Sequence, residues 1–154
     1  MKEPLYKKQK PLLNQNEKEL FEKLKLAVGS DYLLVPQVHL EKLIAPRYGS
    51  FIGKIKYAVG HISRWSVDFA LFDINTLEPM LAIELNGESH NVLKKKLQDE
   101  DVKRHFDEAG LPIIIFHNHQ SLTVQELKTS IDLKLGKGNS HPTHNFLATK
   151  ILEY

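Results

Sequence analysis

Two acidic residues stand inside apolar segments of this 154-residue chain, where charged side chains are uncommon. Asp68 lies in Ser66-Val-Asp-Phe-Ala70, and Glu84 lies in Leu81-Ala-Ile-Glu-Leu-Asn86. Burying a carboxylate is costly unless it faces solvent, a partner or a metal ion. Two carboxylates held in a rigid cleft suit a hard divalent cation. The pair is therefore either a metal site or two outward-facing acids of half-exposed strands.

Hydrophobic periodicity predicts how these two acids are positioned. Alternation over 65–74, turn residues over 75–79 and an apolar run over 80–85 predict a β-hairpin. Asp68 lies in its first arm, and Glu84 lies near the end of its second. The hairpin is therefore expected to bring the two carboxylates together.

The rest of the chain predicts an α/β fold. Asn14 and Glu17 have the spacing of a capping box that begins a helix, and Gly29 ends it. The other predicted elements are a strand over 32–39, a helical turn over 40–45, a loop or ragged hairpin over 46–62, a helix over 91–109, a strand over 111–116 and a helix over 121–135 with Ser121 or Thr123 near its start. Pro36 indicates an edge strand or a bulge. The order α-β-β-β-α-β-α favours a mixed β-sheet flanked by helices.

Length and composition favour one globular domain over 12–135, preceded by a basic arm over 1–11 and followed by a linker and tail over 136–154. The chain has 42% hydrophobic and 26% charged residues. No apolar run reaches the roughly 18 residues of a membrane span, and the first residues lack the apolar core of a signal peptide. We therefore expect a cytoplasmic protein with no membrane partner. The chain has no Cys, so any metal must be bound by carboxylate or imidazole.

Positive charge is concentrated in two segments, although the formal net charge is only +2. The first ten residues carry four Lys and one Glu, and residues 42–67 carry five basic residues and no acid. Within 42–67, Lys54, Lys56 and Arg64 are candidate phosphate contacts, and Trp65 is a candidate base-stacking residue. The alternative is a solvated basic loop whose aromatic residues cover the hairpin.

The order and spacing of several short motifs resemble the PD-(D/E)XK phosphodiesterase superfamily. Within it, the chain is most similar to the Vsr-like endonucleases and to the bacterial domain-of-unknown-function family 2726. The resemblance covers roughly residues 12 to 130. It is carried by Leu13 to Phe21, Val35-Pro-Gln-Val38, Val67-Asp68-Phe69, Ile83 to His90, Asp99, and Ala109 to Pro112. It implies a restriction-endonuclease-like core.

The resemblance also implies a metal-dependent endonuclease acting on DNA. Asp68 and Glu84 would bind Mg²⁺ (or Mn²⁺), Glu17 would complete the outer shell of the metal, and His90 would act as a general acid or base or orient a phosphate. Glu17 and His90 have simpler alternatives as a capping-box residue and a helix-start residue. Asn86 stands where the superfamily has Lys and the nearest families have Asp. A catalytically weakened nucleic-acid-binding module of the same fold is therefore the alternative function.

The roles of four further residues are left open. Lys94, in a run of three lysines, either supplies the missing cation or belongs to a solvated basic face. Ile115 stands where the family often has Arg. His117 and His119 have the spacing that places them on one face of a strand extension, as a metal or phosphate site or as exposed loop residues. A protein-interaction domain with no nucleic-acid role is a third possibility.

Overall fold

A computed structural model describes four stretches of the chain, namely residues 5–46, 65–86, 100–117 and 119–137. Their elements are α1 (Gln15–Val28), β1 (Tyr32–His39), a 3-10 turn (Leu40–Lys42), β2 (Ser66–Asp73), β3 (Pro79–Asn86), α2 (Glu100–Ala109), β4 (Ile113–His117), a second 3-10 turn (His119–Ser121) and α3 (Val124–Lys134). The predicted element order is confirmed. The first nine residues of the predicted 91–109 helix and nearly all of the predicted 46–62 loop lie outside the described residues.

The four strands form one mixed sheet in the order β1-β2-β3-β4. β1 pairs with β2 and β2 pairs with β3 in antiparallel orientation, whereas β3 and β4 run parallel. β1 is an edge strand, as Pro36 indicates. Because β2 alone runs in the opposite direction, its beginning lies at the same end of the sheet as the last residues of the other three strands. That end of the sheet contains Asp68 and Glu84.

Apolar side chains cover both faces of the sheet. One cluster joins α1 and α3 to the sheet, and its fully buried members include Leu20, Phe69, Ile83 and Leu127. A second cluster contains the α2 residue Phe106 together with Val38, Leu40, Ala70 and Ala82. Complete burial of a large apolar side chain contributes about 1.5–3 kcal/mol. The sheet is therefore held between helices on both faces, as predicted for an α/β fold.

Local capping explains where α2 and α3 end and begin. Gly110 follows α2 with φ 67°, a left-handed conformation that favours glycine, and the Leu111 N–H donates to the Phe106 carbonyl at 3.1 Å. α3 begins at Val124, because Thr123, one of the two residues predicted near its start, caps it and exchanges hydrogen bonds with Glu126. The three residues from 119 to 121 form a 3-10 turn instead.

Within residues 5–46, 65–86, 100–117 and 119–137, no helix is both long enough and apolar enough to cross a bilayer.

Candidate functional site

Three carboxylates are buried in the described part of the protein. Glu17 is 5% exposed, Asp68 is 6% exposed and Glu84 is 4% exposed. The outward-facing alternative is therefore wrong for Asp68 and Glu84, because neither side chain points to solvent. Burying several carboxylates calls for a compensating proton, hydrogen bond or cation.

Asp68 and Glu84 are neighbours across the β2–β3 hairpin. The register pairs Phe69 with Ile83, so the next position along the two strands sets Asp68 opposite Glu84. There the Oδ2 atom of Asp68 accepts a buried hydrogen bond of 2.7 Å from the backbone N–H of Leu85. The predicted approach of the two acids is confirmed. The bond uses one of the two carboxylate oxygens of Asp68.

The buried position of Glu84 disfavours its ionised form. Burial raises the pKa of Glu84 well above its ordinary value, and the adjacent Asp68 charge and side-chain hydrogen bonding with Asp68 raise it further. The Glu17 charge adds to this rise in the pKa. The buried Oε1 atom of Glu84 has no hydrogen-bond partner among the described residues. Ionised Glu84 therefore needs a cation beside it.

Glu17 has two roles, one for each carboxylate oxygen. Its Oε2 accepts the Asn14 N–H at 2.7 Å, and its own N–H donates to Asn14 Oδ1 at 3.0 Å, which confirms the predicted capping box. Its Oε1 accepts a hydrogen bond of 3.4 Å from Nε2 of Gln37. The capping box thus fixes the carboxylate while Oε1 faces the side chain of a residue on β1.

Gln37 is a site residue that the sequence interpretation missed. The β1–β2 register pairs Pro36 with Phe69 and Val38 with Val67, which sets Gln37 opposite Asp68. Gln37 has φ 53°, a left-handed conformation that costs a non-glycine residue about 1–2 kcal/mol. Such strain is often found at functional sites. The available signal was Pro36 in an edge strand, which indicates irregular backbone but not its position.

β4 completes this end of the sheet. Parallel pairing sets Ile115 opposite Glu84 and His117 opposite Asn86. Burial alternates along the strand, so Ile113, Ile115 and His117 share one face and are each half-buried. The exposed-loop alternative is wrong for His117, which is a strand residue. Gln37, Asp68, Glu84 and Ile115 therefore follow one another across the four strands.

The acid pair fits a hard divalent cation. Within the described residues, no group of three His, Cys, Asp or Glu side chains is arranged to hold a metal ion. Mg²⁺ does not need such a group, because it is usually bound by one or two carboxylates together with water and substrate phosphates. The unpartnered Oε1 of Glu84 beside Asp68 supplies the oxygen donors and the uncompensated charge that such an ion requires.

Most of the other predicted site residues fall outside the described stretches. These are Lys54, Lys56, Arg64, His90 and Lys94. The backbone of Asn86 ends β3 next to His117. Trp65 is half-buried against the second apolar cluster, and its carbonyl accepts the Leu40 N–H at 2.8 Å. It directly precedes β2, at the end of the sheet that contains the acids.

Comparison with known proteins gives one match. A family model described as "Protein of unknown function (DUF2726)" matches residues 9–135, which include every element from α1 to α3. Neither the curated proteins nor the solved structures contain a match to the chain.

Proposed function

The chain belongs to the DUF2726 family of proteins of unknown function, and we propose that it is a metal-dependent endonuclease of the PD-(D/E)XK type. In this proposal the fold is restriction-endonuclease-like, and the reaction is hydrolysis of a DNA phosphodiester with Mg²⁺ or Mn²⁺. The observation that carries the proposal is the buried Asp68–Glu84 pair, in which one carboxylate oxygen, Oε1 of Glu84, has no hydrogen-bond partner among the residues that the structure describes. Such a pair is stable in its ionised form only beside a cation.

Each acid has a defined part in this proposal. Asp68 and Glu84 hold the ion, and the capped Glu17 adds negative charge behind them. A bound Mg²⁺ would polarise a phosphate oxygen and lower the pKa of a coordinated water. The amide of Gln37 donates to Oε1, the Glu17 oxygen that lies outside the capping box, at 3.4 Å. The left-handed backbone at Gln37 therefore supports the chemistry by fixing this third acid.

Charge favours a nucleic acid as the substrate. Residues 42–67 carry five basic residues and no acid, and this segment leads directly into β2 at the acid site. Basic residues such as Lys54, Lys56 and Arg64 would contact phosphates, and Trp65 would stack on bases. Three buried carboxylates repel a phosphate unless a cation is present. DNA is therefore expected to approach the acids only with the metal in place.

The test uses the purified full chain and a panel of intact, nicked, mismatched and single-stranded DNA. We expect cleavage of at least one form with Mg²⁺ or Mn²⁺ and none with a chelator. Glu84→Ala and Glu84→Gln should both lower the cleavage rate by about 100-fold or more, since they remove a metal ligand. Glu78→Gln is the matched control, because Glu78 is an exposed acid in the turn of the same hairpin. Equal cleavage by Glu84→Gln, or cleavage without metal, contradicts the proposal.

The identity of residue 86 favours a second candidate, a nucleic-acid-binding module with weakened catalysis. Asn86 lies two residues after Glu84 on the same strand and brings no charge to the site. This candidate predicts DNA binding with a steep salt dependence, weakened by Lys54→Ala or Arg64→Ala and hardly changed by Glu84→Gln. Asn86→Asp would then raise cleavage from a low level, because it replaces a neutral amide with a charged carboxylate. Rapid cleavage by the unmodified chain contradicts the candidate.

A further inference from the structure

His117 lies at the end of β4, on the face of the sheet that carries Glu84. Ile115 is opposite Glu84 in the parallel register, and His117 is two residues farther along the strand. Opposed residues of neighbouring strands project to the same face, as do residues two apart on one strand. Burial agrees with this arrangement, because Ile114 and Phe116 are buried in the cluster on the other face.

Strand geometry gives the spacing of the two residues. Neighbouring strands are about 4.8 Å apart and two residues rise about 6.6 Å, so the Cα atoms of Glu84 and His117 are about 8 Å apart. Both residues lie at the carboxyl ends of parallel strands, where open α/β sheets bind their ligands. His117 is therefore beside the acid pair, at a distance that one phosphate group can bridge.

The acidic character of the site makes a hydrogen-bond donor at His117 chemically important. Glu17, Asp68 and Glu84 are buried together and make the described site acidic. An imidazole offers an N–H donor in either protonation state, and a positive charge when protonated. On the Glu84 face, the neighbours of His117 along β4 are the apolar Ile113 and Ile115. An anion that enters here meets the imidazole as the hydrogen-bond donor contributed by β4.

We propose that His117 binds a phosphate group of the nucleic acid next to the Asp68–Glu84 pair. The inference rests on the proposed function for its substrate class, a phosphodiester, and adds the residue that holds the phosphate from the β4 side. His117 donates a hydrogen bond to a non-bridging phosphate oxygen, and the acids with their cation hold the other side of the group. No proton transfer is assigned to it.

The experiment measures binding separately from cleavage. Fluorescence anisotropy with short double-stranded and single-stranded DNA is recorded for the full chain and for Glu84→Gln, each with His117→Ala and His117→Gln. We expect His117→Ala to weaken binding about tenfold, the effect of losing one charge-assisted hydrogen bond. Where the imidazole is protonated, the slope of log Kd against log salt should also fall by about one phosphate contact, because a cation that binds a phosphate displaces one counterion. His117→Gln retains an N–H donor and should recover most of the affinity.

Two controls separate phosphate binding from structural damage. His105→Ala removes a half-buried histidine from α2 and should leave both the affinity and the salt slope unchanged. Thermal unfolding shows whether each variant folds. If His117→Ala does not fold, His117→Gln still tests the proposal. A purely structural role would lower the stability without changing the salt slope of the folded protein.

The outcomes distinguish this inference from the proposed nuclease activity. Cleavage that depends on Glu84, with unchanged DNA affinity and salt slope in His117→Ala, overturns the role of His117 alone. DNA binding that depends on His117, without any cleavage, supports the role of His117 and overturns the nuclease proposal. Failure of the unmodified chain to bind any DNA at low salt overturns both.

Discussion

The Oδ2 atom of Asp68 accepts a hydrogen bond of 2.7 Å from the backbone N–H of Leu85, the residue that follows Glu84. A side chain of β2 thus satisfies a backbone donor of β3 at the position where the strand register places the two acids together. The bond is buried, so it fixes the Asp68 carboxylate in a single orientation. Asp68 therefore has a structural role that must be separated from its proposed role as a metal ligand.

Two substitutions of Asp68 make this separation. Asp68→Asn keeps an oxygen that can accept the Leu85 N–H, whereas Asp68→Ala leaves that buried donor unsatisfied. We expect Asp68→Ala to be less stable than Asp68→Asn by about 1–3 kcal/mol in urea unfolding. Both variants should lose metal-dependent cleavage, because neither carries the charge. Equal stability of the two variants would show that the hydrogen bond contributes nothing to folding.

Glu84 makes the stability of the fold depend on pH. Its pKa in the folded protein is well above the ordinary value of 4.5, so between these two values the folded state binds a proton that the unfolded state has released. Without divalent cations, the free energy of unfolding should therefore fall as the pH rises through that interval. Glu84→Gln cannot titrate, so its stability should increase relative to the unmodified chain from about pH 4.5 upward. If the free energy of unfolding changed with pH in the same way in both proteins, the raised pKa of Glu84 would be contradicted.

A divalent cation should reverse the cost of ionised Glu84. Ligand binding to the folded state alone stabilises it, by about 2.7 kcal/mol when the concentration is 100 times Kd. At pH 7 we expect Mg²⁺ or Mn²⁺ to raise the Tm of the unmodified chain and to have much less effect on Glu84→Gln. Na⁺ at matched ionic strength controls for screening. The metal site is absent if both proteins respond to Mg²⁺ equally.

Two capping boxes in the described part of the chain provide a matched comparison for Glu17. Glu17 and Glu126 occupy the same position in the boxes of α1 and α3, but only Glu17 is near the acid pair. Gln also completes a capping box, so both Glu→Gln substitutions should change stability by about 1 kcal/mol or less. Glu17→Gln should change the metal affinity about 10-fold or more, as groups behind metal ligands do. Titration calorimetry with Mn²⁺ should show no change for Glu126→Gln.

The left-handed backbone of Gln37 predicts different effects of Ala and Gly. Glycine relieves a conformational cost of about 1–2 kcal/mol, so Gln37→Gly should be more stable than Gln37→Ala. Both variants remove the amide that contacts Glu17 and should lower the rate of DNA cleavage to a similar degree.

Leu77 is the control for this comparison, because it has φ 58° and lies exposed in the β2–β3 turn. Leu77→Gly should be more stable than Leu77→Ala by a similar margin, without any change in cleavage. Full cleavage activity in both Gln37 variants would remove Gln37 from the site.

Local patterns in the sequence predict much of this arrangement. The capping-box spacing predicts α1 and the position of Glu17, and alternation on both sides of a turn predicts the hairpin that joins Asp68 to Glu84. Gly110 indicates the end of α2 because its left-handed conformation suits glycine. Each of these features depends on residues that are close in the chain.

The structural features that the sequence did not predict depend on residues that are far apart in the chain. The parallel register of β3 and β4 sets Ile115 beside Glu84, and hydrophobic periodicity carries no information about register between separate strands. The left-handed conformation of Gln37 has no compositional signal, since Gln rarely adopts it. The burial that excludes outward-facing acids arises only when helices cover both faces of the sheet.

The hydrogen bond from Leu85 to Asp68 also provides a built-in spectroscopic reporter. An amide proton that donates to a carboxylate at 2.7 Å is shifted downfield in NMR spectra, and its burial slows exchange with solvent. The chemical shift of this one backbone proton senses the charge on Asp68, with no label or substitution near the acids. Titrating the protein with a cation or with DNA while following this resonance records events at the site on an otherwise unmodified chain.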